Sequence, residues 1–364
     1  MLTTYNSYLA HILIIVSKEL EVMNNIVMNK QLLHEQYGIT VDQEISSGAI
    51  NIYNGGGRVF MSFAINMEEQ DLQERSSLAY HMHNKGEKGV WLPLLNNEQK
   101  LLTKLESNDY VVCINEMEIP QSYEVGRELA IFHYRGRSIP QRIVFCSRIG
   151  KWKEMWEQRV DQLERVWRDK LAAKPQNDFE KLFIDSYPYY AGLSENAIQY
   201  LVDTEIDENP EMVDAGTVCY DRFTSETWGP GSNGKLFSEW VFDHSARDIA
   251  EWIRAYYFKQ PNTYHQGVES FLRQYQSITP LSTFSARMLF SRLLLPVHYF
   301  EIIEQYYVTK SEGEKTRLEE RLENFVKHST MYERMLSEIY ELAGILKGNI
   351  KMVVPEWIMN GRTI

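Results

Sequence analysis

The sequence is poor in cysteine and in positive charge, and each shortage excludes a class of protein. Its three cysteines, Cys113, Cys146 and Cys219, stand far apart without C-x-x-C spacing, which argues against a disulfide framework and a zinc site. Each lies in an apolar, strand-like run, so we expect all three to be buried. Lysine and arginine number 38 against 50 acidic residues, and this balance argues against a nucleic-acid partner.

Long apolar runs are also missing. The best candidate for a membrane segment, Leu9 to Val16, is far shorter than the roughly 20 apolar residues that a spanning helix needs. No basic residue precedes it and no small-residue cleavage site follows it, so it does not resemble a signal peptide. The sequence therefore predicts no membrane span.

Residues 28–116 have the pattern of a small sheet that carries one helix. Two β-rich runs, 49–53 and 59–65, flank the turn-forming sequence Gly55-Gly56-Gly57, which is typical of a hairpin. Residues 68–85 show helical spacing of apolar side chains. Further short strands are expected at 91–94 and 110–114. The glycine run lacks the G-x-G-x-x-G spacing of a phosphate-binding loop, so we interpret it as a turn.

Residues 117–364 have a different character, because apolar and aromatic residues recur there at steps of three and four. Helices are predicted at 124–134, 152–171, 178–201, 246–258, 268–275, 283–307 and 312–346. A non-helical stretch at 216–243 interrupts them. This order predicts an α+β, two-lobed fold like that of protein kinases and aminoglycoside phosphotransferases. The N-lobe would span 28–116 and the helical C-lobe 117–364, with a degenerate catalytic loop near 218–243.

Phosphotransfer in such a fold requires a lysine on the third strand and a helix glutamate that orients it. No lysine occurs between Lys30 and Lys85, and Ser62 stands where that lysine is expected. Glu74 can occupy the glutamate position, but without a lysine partner we interpret it as a solvated charge. Both are degenerate positions for cofactor binding.

The catalytic loop of a phosphotransferase has the pattern H-x-D-x-x-x-x-N, with an apolar residue after the aspartate. Residues 218–228 are the stretch with the right placement. If Phe223 is that apolar residue, Tyr220 replaces the histidine, Arg222 the catalytic aspartate and Thr227 the asparagine. An arginine cannot act as a general base, because its guanidinium stays protonated.

A second register stays open. Shifting the alignment by one residue makes Asp221 the base and Glu226 the replacement for the asparagine, at the cost of placing Arg222 where an apolar side chain should pack. In either register Asp243, which follows two apolar residues of a predicted strand, is the candidate Mg²⁺ ligand. It is equally compatible with a retained scaffold residue.

Six segments are informative when they are taken together: 126–133, 149–152, 183–190, 196–201, 221–224 and 240–254. In combination they resemble the YutH-type members of the CotS-like spore coat proteins of endospore-forming bacteria. The resemblance implies a fold similar to aminoglycoside phosphotransferases, spore coat proteins as partners, and a location in the mother-cell cytoplasm and the spore coat. Residues 1–27 have no counterpart in it, so they are either an amphipathic N-terminal helix or a start assigned too early, before Met28.

Three hypotheses follow. The first is a kinase-like coat protein with little or no catalysis, which needs no cofactor and works by binding other coat components. The second is an ATP- and Mg²⁺-dependent phosphotransferase for a small molecule or a protein, which uses Asp221, Glu226 and Asp243. The third is a module that binds ATP without transferring phosphate.

Overall fold

The computed structural model describes residues 28–47, 50–105, 108–115, 124–224, 227–228, 234–345, 354–355 and 358. The predictions for residues 1–27, for the lobe boundary at 116 and 117, and for Glu226 lie outside these residues. Within them, no helix has the length and apolar character to cross a membrane. The chain divides into two compact units. The first unit consists of the chain up to Ser147 and of Gly216–Asp243. The second unit consists of Arg148–Ala215 and of the chain from His244 onward.

The first unit contains a mixed sheet, a separate two-stranded ladder and three helices among the described residues. The elements of this unit are α1 (Lys30–Tyr37), β1 (Gln43–Ser47), β2 (Ile50–Gly55), β3 (Arg58–Ile65), α2 (Glu69–Asn84), β4 (Val90–Pro93), β5 (Thr103–Leu105), β6 (Asn108–Asn115), α3 (Val125–Arg137), β7 (Thr217–Tyr220), β8 (Lys235–Leu236) and β9 (Trp240–Asp243). The strand order of the mixed sheet is β1-β2-β3-β6-β4-β8, and β5 pairs with β6. Strands β7 and β9 form the separate antiparallel ladder.

The predicted hairpin is confirmed. Strands β2 and β3 pair antiparallel, and Gly55 lies opposite Arg58. The two residues between them, Gly56 and Gly57, have φ angles of 57° and 75°. A two-residue turn with positive φ at both positions matches the twist of the flanking strands, and glycine adopts it without a steric penalty. The glycine run is thus used for chain reversal.

Helix α1, which the sequence analysis did not predict, covers part of the sheet. The Asn29 side chain caps its first turn by accepting a hydrogen bond from the Leu32 amide, and it ends at Gly38, with φ 68°. Its short length and weak apolar pattern explain why it was missed. Its buried face belongs to a core cluster made of Met28, Leu33, Ile39, Tyr53, Phe60, Tyr110 and Val112.

The second unit is helical. It contains α4 (Trp152–Ala173), α5 (Asp178–Asp207), α6 (Ala246–Lys259), α7 (Tyr264–Gln276), α8 (Thr283–Leu294), α9 (Val297–Val308), α10 (Glu312–Lys327) and α11 (Ser329–Leu342). Helix α5 packs against α4, α8 and α10, and α8 also packs against α6 and α11. The core of this unit lies among these helices.

Two of the predicted helices were wrong in extent, because each is a pair of helices. The predicted helix 283–307 ends at Leu294 and restarts at Val297, since Pro296 has no amide hydrogen and restricts the residue before it. The predicted helix 312–346 breaks at His328, between α10 and α11. No helix-breaking residue marks that second break, so the sequence pattern concealed it.

The long helix α5 contains a proline in its interior, Pro188. A proline cannot donate the backbone hydrogen bond to the carbonyl four residues earlier, which here belongs to Ile184. The indole Nε1 of Trp167, on α4, donates to that carbonyl at 3.0 Å. A side chain from the neighbouring helix therefore replaces the missing backbone donor.

Candidate functional site

The stretch predicted to form the catalytic loop, 218–228, begins within strand β7. Tyr220, at the position of the histidine, is fully buried. Its ring lies 5.9 Å from that of Phe132, 5.7 Å from that of Phe223 and 6.3 Å from that of Trp240, measured between centroids. Phe223 is fully buried as well. Both side chains pack into an aromatic cluster of the first unit.

The Thr227 hydroxyl, at the position of the metal-binding asparagine, is used by the loop itself. It accepts a hydrogen bond from the Thr224 amide at 2.9 Å and lies 3.1 Å from the Thr224 carbonyl oxygen and 3.3 Å from that of Arg222. The Thr227 amide donates to the Thr224 hydroxyl at 3.4 Å. These contacts tie Thr227 to Thr224 and Arg222.

Asp221, the base of the second register, and Asp243, the candidate Mg²⁺ ligand of either register, lie near opposite ends of the β7–β9 ladder. Asp243 pairs with Thr217, while Tyr220 pairs with Trp240, and the amide of Asp221 donates to the Glu239 carbonyl at 2.7 Å. The pair Thr217–Asp243 and the pair Tyr220–Trp240 are three residues apart along the ladder, which corresponds to roughly 10 Å. Asp221 is exposed, whereas Asp243 is 1% exposed. The ladder therefore holds the two backbones apart.

Ser62, at the position of the lysine, is fully buried on β3. Its hydroxyl lies 3.3 Å from the hydroxyl of Tyr53, which in turn donates to the carbonyl of Met28. Tyr53 belongs to the core cluster that includes α1. Ser62 thus takes part in the internal packing of the sheet. Successive strand residues point to opposite faces, so Met61 and Phe63, both apolar, occupy the other face.

Glu74, on α2, has a defined structural role that the sequence did not reveal. Its carboxylate accepts hydrogen bonds from three consecutive backbone amides, those of Val144 at 2.8 Å, Phe145 at 2.7 Å and Cys146 at 3.0 Å. Our interpretation of Glu74 as a solvated charge was therefore wrong. Three amides in a row are strong partners for a carboxylate, but they lie some 70 residues away in sequence, beyond the reach of a local pattern.

The neighbouring Arg75 was also missed. It is 5% exposed, pairs with Asp71 at 2.7 Å, and donates to the backbone carbonyls of Ser238, at 2.8 Å, and Trp240. Through these bonds helix α2 fixes the segment that leads into Asp243. A charged residue on an apolar helix face was the available signal, because such side chains are seldom buried unless paired.

Helix α3 approaches strand β7 closely at Gly136. A Cβ atom at this position would lie 2.4 Å from the Thr217 hydroxyl oxygen and 2.6 Å from the Val218 nitrogen. The Thr217 hydroxyl donates to the His133 carbonyl of the same helix at 2.7 Å. Glycine is required here because of this contact, which fixes the end of β7 that lies opposite Asp243.

In the second unit, a buried polar cluster surrounds Asp214. Its carboxylate accepts hydrogen bonds from the hydroxyls of Ser282, at 2.7 Å, and Ser285, and from the Glu211 amide at 2.7 Å. His244 Nε2 lies 3.5 Å away. Burial alone would raise the pKa of Asp214, but these donors lower that pKa to about 2.

The Asp214 cluster contains serine, histidine and aspartate, yet it is not arranged for nucleophilic catalysis. In a catalytic triad, the histidine accepts a proton from the serine with one ring nitrogen and donates to the aspartate with the other. Here both serine hydroxyls donate to the carboxylate, and His244 Nδ1 accepts from the Ala246 amide at 3.1 Å. The cluster ties the short helix Met212–Asp214 to the start of α8.

All three cysteines are buried, as predicted. Burial raises the pKa of the Cys146 thiol to about 12, and it raises the pKa of the Cys113 thiol as well. A thiolate is the nucleophilic form of cysteine. These two residues therefore have the character of core side chains.

Comparison with known proteins identifies relatives across most of the chain. The family model described as "Spore coat putative kinase YutH" matches residues 30–339. The endospore coat-associated protein YutH of Bacillus subtilis (strain 168) is 36% identical over 339 residues, which cover 92% of this chain and 99% of that protein.

Two solved structures show the same fold at low identity. An aminoglycoside phosphotransferase from Alicyclobacillus acidocaldarius has a TM-score of 0.63 at 12% identity and covers 89% of this chain and 98% of its own. The amicoumacin kinase hAmiN, in complex with AMP-PNP, Ca²⁺ and Ami, has a TM-score of 0.54 at 11% identity over 82% of this chain and 92% of its own. The predicted kinase-like, aminoglycoside phosphotransferase-like fold is confirmed.

Proposed function

Because the chain belongs to the YutH family of spore coat proteins, which has a kinase-like fold, we propose that it is a catalytically degenerate member that acts in the coat by binding other coat proteins. It would be made in the mother-cell cytoplasm and retained in the spore coat. The observation that carries this proposal is the state of the catalytic loop, whose Thr227 hydroxyl is engaged by the loop's own backbone.

The loop supports the first register. That register needs an apolar side chain packed after the catalytic position, and Phe223 is fully buried beside Tyr220. Arg222 then occupies the catalytic position, where its guanidinium cannot accept a proton from a substrate. The second register would need Asp221, as the base, and Asp243, as the Mg²⁺ ligand, to face the same phosphoryl group, and the β7–β9 ladder places their backbones roughly 10 Å apart.

The described residues do not fit a Mg–ATP complex held as in an active phosphotransferase. The phosphates would lack the strand lysine, since β3 carries Ser62 at that position and buries it in the sheet. Glu74, which would orient such a lysine, is committed to three backbone amides. Asp243, the predicted Mg²⁺ ligand, is an aspartate as in active phosphotransferases, but it is 1% exposed. The site resembles a scaffold derived from a kinase.

The test separates a binding role from a catalytic one in the spore itself. We would replace the native copy in an endospore-forming host with a fluorescent fusion of the chain, either unchanged or carrying Asp221→Asn and Asp243→Asn together. Both substitutions keep side-chain shape and remove the carboxylates that catalysis would need. We expect both fusions to reach the coat with the same timing and intensity, and the purified spores to have the same coat protein profile.

A fusion that stays diffuse and never reaches the forespore would contradict the coat role. An unchanged fusion that localises while the Asp221→Asn, Asp243→Asn fusion leaves the coat incomplete would contradict catalytic degeneracy. Equal thermal stability of the two purified proteins is the control that the double substitution has not unfolded the first unit.

A further inference from the structure

The second unit contains a cavity that none of the coat or kinase features explains. Its volume is about 320 Å³, and helices α5, α6, α9, α10 and α11 contribute to its wall. An apolar cavity of about 150 Å³ is enough to hold a benzene molecule, and pockets for small molecules begin at about 300 Å³. The cavity therefore has room for a ligand with two aromatic rings.

A series of aromatic rings in mutual contact forms much of the wall of this aromatic cavity. In order of contact, they are Tyr189, Tyr190, Phe325, Phe258, Tyr332 and Tyr257. Along that series the centroids of successive rings are 4.9, 5.4, 5.5, 5.6 and 5.3 Å apart. Aromatic rings attract one another at centroid distances of roughly 4.5–7 Å, in stacked or edge-on arrangements. A planar aromatic ligand in the cavity would therefore find ring partners on more than one helix.

The tyrosines offer a ligand their ring carbons and not their hydroxyl groups. The hydroxyl oxygens of Tyr190 and Tyr257 are buried out of reach of a ligand. The Tyr332 hydroxyl donates to the Leu293 carbonyl at 2.7 Å, and the Tyr189 hydroxyl donates to Glu333. The wall formed by these tyrosines is therefore apolar, like the half-buried phenylalanine rings beside it.

The charged groups at the aromatic cavity disfavour an ionic ligand of either sign. Among the described residues of the wall, Arg321 is the only lysine, arginine, aspartate or glutamate, and it is exposed. Glu333 lies beside the wall, where it accepts the hydrogen bond from Tyr189. A bound cation would be repelled by Arg321 and a bound anion by Glu333, and an ion that leaves water without a paired charge is strongly destabilised. An uncharged ligand avoids both costs.

We propose that the aromatic cavity is a binding site for an uncharged molecule with two fused or linked aromatic rings. These rings pack against Phe258, Phe325 and the tyrosine rings, and apolar contact and shape determine which molecules bind. The site uses none of the residues predicted for nucleotide chemistry. It gives the helical unit a ligand-binding role of its own, whether or not the proposed coat role is correct.

The experiment compares three probes that share one ring system and differ in charge, and it uses the full chain. The probes are the uncharged 2-naphthalenemethanol, the anion 2-naphthoate and the 2-naphthylmethylammonium cation. Binding is followed by the naphthalene fluorescence. We expect the alcohol to bind and each ion to bind at least about tenfold more weakly, because the ion would lose water without gaining a paired charge.

Two substitutions test whether the probe binds in the aromatic cavity. Leu193 lines it and is 5% exposed, so the larger side chain of Leu193→Phe would take up ligand volume and weaken binding of the alcohol at least about tenfold. Leu193→Met is the matched control, because methionine keeps the volume and the apolar character of leucine; its affinity should not change. Phe325→Leu removes one ring but keeps the wall apolar, and should weaken binding about fivefold.

Thermal unfolding without a probe shows whether each variant is folded, and Phe325→Leu, at a half-buried position, keeps the test decisive if Leu193→Phe does not fold. Weaker binding by folded Leu193→Phe and Phe325→Leu, with unchanged binding by Leu193→Met, would support the site. No binding of the alcohol, equal affinity for the alcohol and either ion, or unchanged binding by the folded Leu193→Phe and Phe325→Leu variants would overturn the proposal.

Discussion

The buried Asp214 carboxylate should make the free energy of unfolding depend on pH. The perturbation is Asp214→Asn, which removes the charge that Ser282, Ser285, the Glu211 amide and His244 converge on. The pKa of this carboxyl is lowered from 3.8 to about 2. At about 1.4 kcal/mol per pKa unit, the charged form contributes about 2 kcal/mol to the free energy of unfolding.

The stability that Asp214 contributes should increase with pH, because the pKa of its carboxyl group is lower in the folded state. A carboxyl group whose pKa is lower in the folded state stabilises the fold above its unfolded pKa, near 3.8, and loses that contribution as the pH falls towards 2. Urea unfolding of the unchanged chain and of Asp214→Asn should therefore differ by about 2 kcal/mol near neutral pH and by about half of that near pH 3.

Asp207→Asn is the matched control. Asp207 pairs with Arg287, but its side chain is 58% exposed, and an exposed ion pair contributes at most about 1 kcal/mol. A difference between Asp214→Asn and the unchanged chain that is equally large near neutral pH and near pH 3 would refute the electrostatic role of the cluster. So would an effect no larger than that of Asp207→Asn.

Three further substitutions test contacts elsewhere in the chain. Trp167→Phe removes the side-chain donor that compensates for Pro188, and chemical denaturation should show a loss of about 1 kcal/mol that is smaller in a Pro188→Ala background. Glu74→Ala leaves three amides without their acceptor, so stability should fall by about 2 kcal/mol, with faster hydrogen exchange at those amides. Gly136→Ala would gain about 1 kcal/mol from helix propensity, but its Cβ would lie 2.4 Å from the Thr217 hydroxyl, so the melting temperature should fall. If the losses of stability in Trp167→Phe and Pro188→Ala are fully additive, Trp167 does not compensate for Pro188. Unchanged hydrogen exchange at the three amides in Glu74→Ala would contradict the role of Glu74. A higher melting temperature of Gly136→Ala would contradict the close approach to Thr217.

The fold was predictable where the signal is local. Two glycines with positive φ follow from the hairpin between β2 and β3, and the helical periodicity of α4 and α6 follows from their apolar faces. Helix α1 has a weak apolar pattern, and the break at His328 has no local marker, so both escaped prediction.

The candidate site was predictable in residue type but not in contacts. The absence of a strand lysine and the presence of Arg222 in the loop are visible in the sequence. The bonds of Glu74 to the backbone at 144–146, and of Arg75 to the segment before Asp243, join residues far apart in the chain. No pattern of spacing reports such contacts, because they depend on how the helix and the sheet pack.

Catalytic degeneracy is tested most directly by titrating the full chain with Mg–ATP and following thermal unfolding. At about 5 mM nucleotide, a site with a dissociation constant of about 50 µM would stabilise the fold by about 2.7 kcal/mol. We expect no stabilisation, for the unchanged chain or for Asp243→Asn. Clear stabilisation of the unchanged chain that Asp243→Asn abolishes would show that a magnesium nucleotide is bound at Asp243, and would contradict the degenerate site.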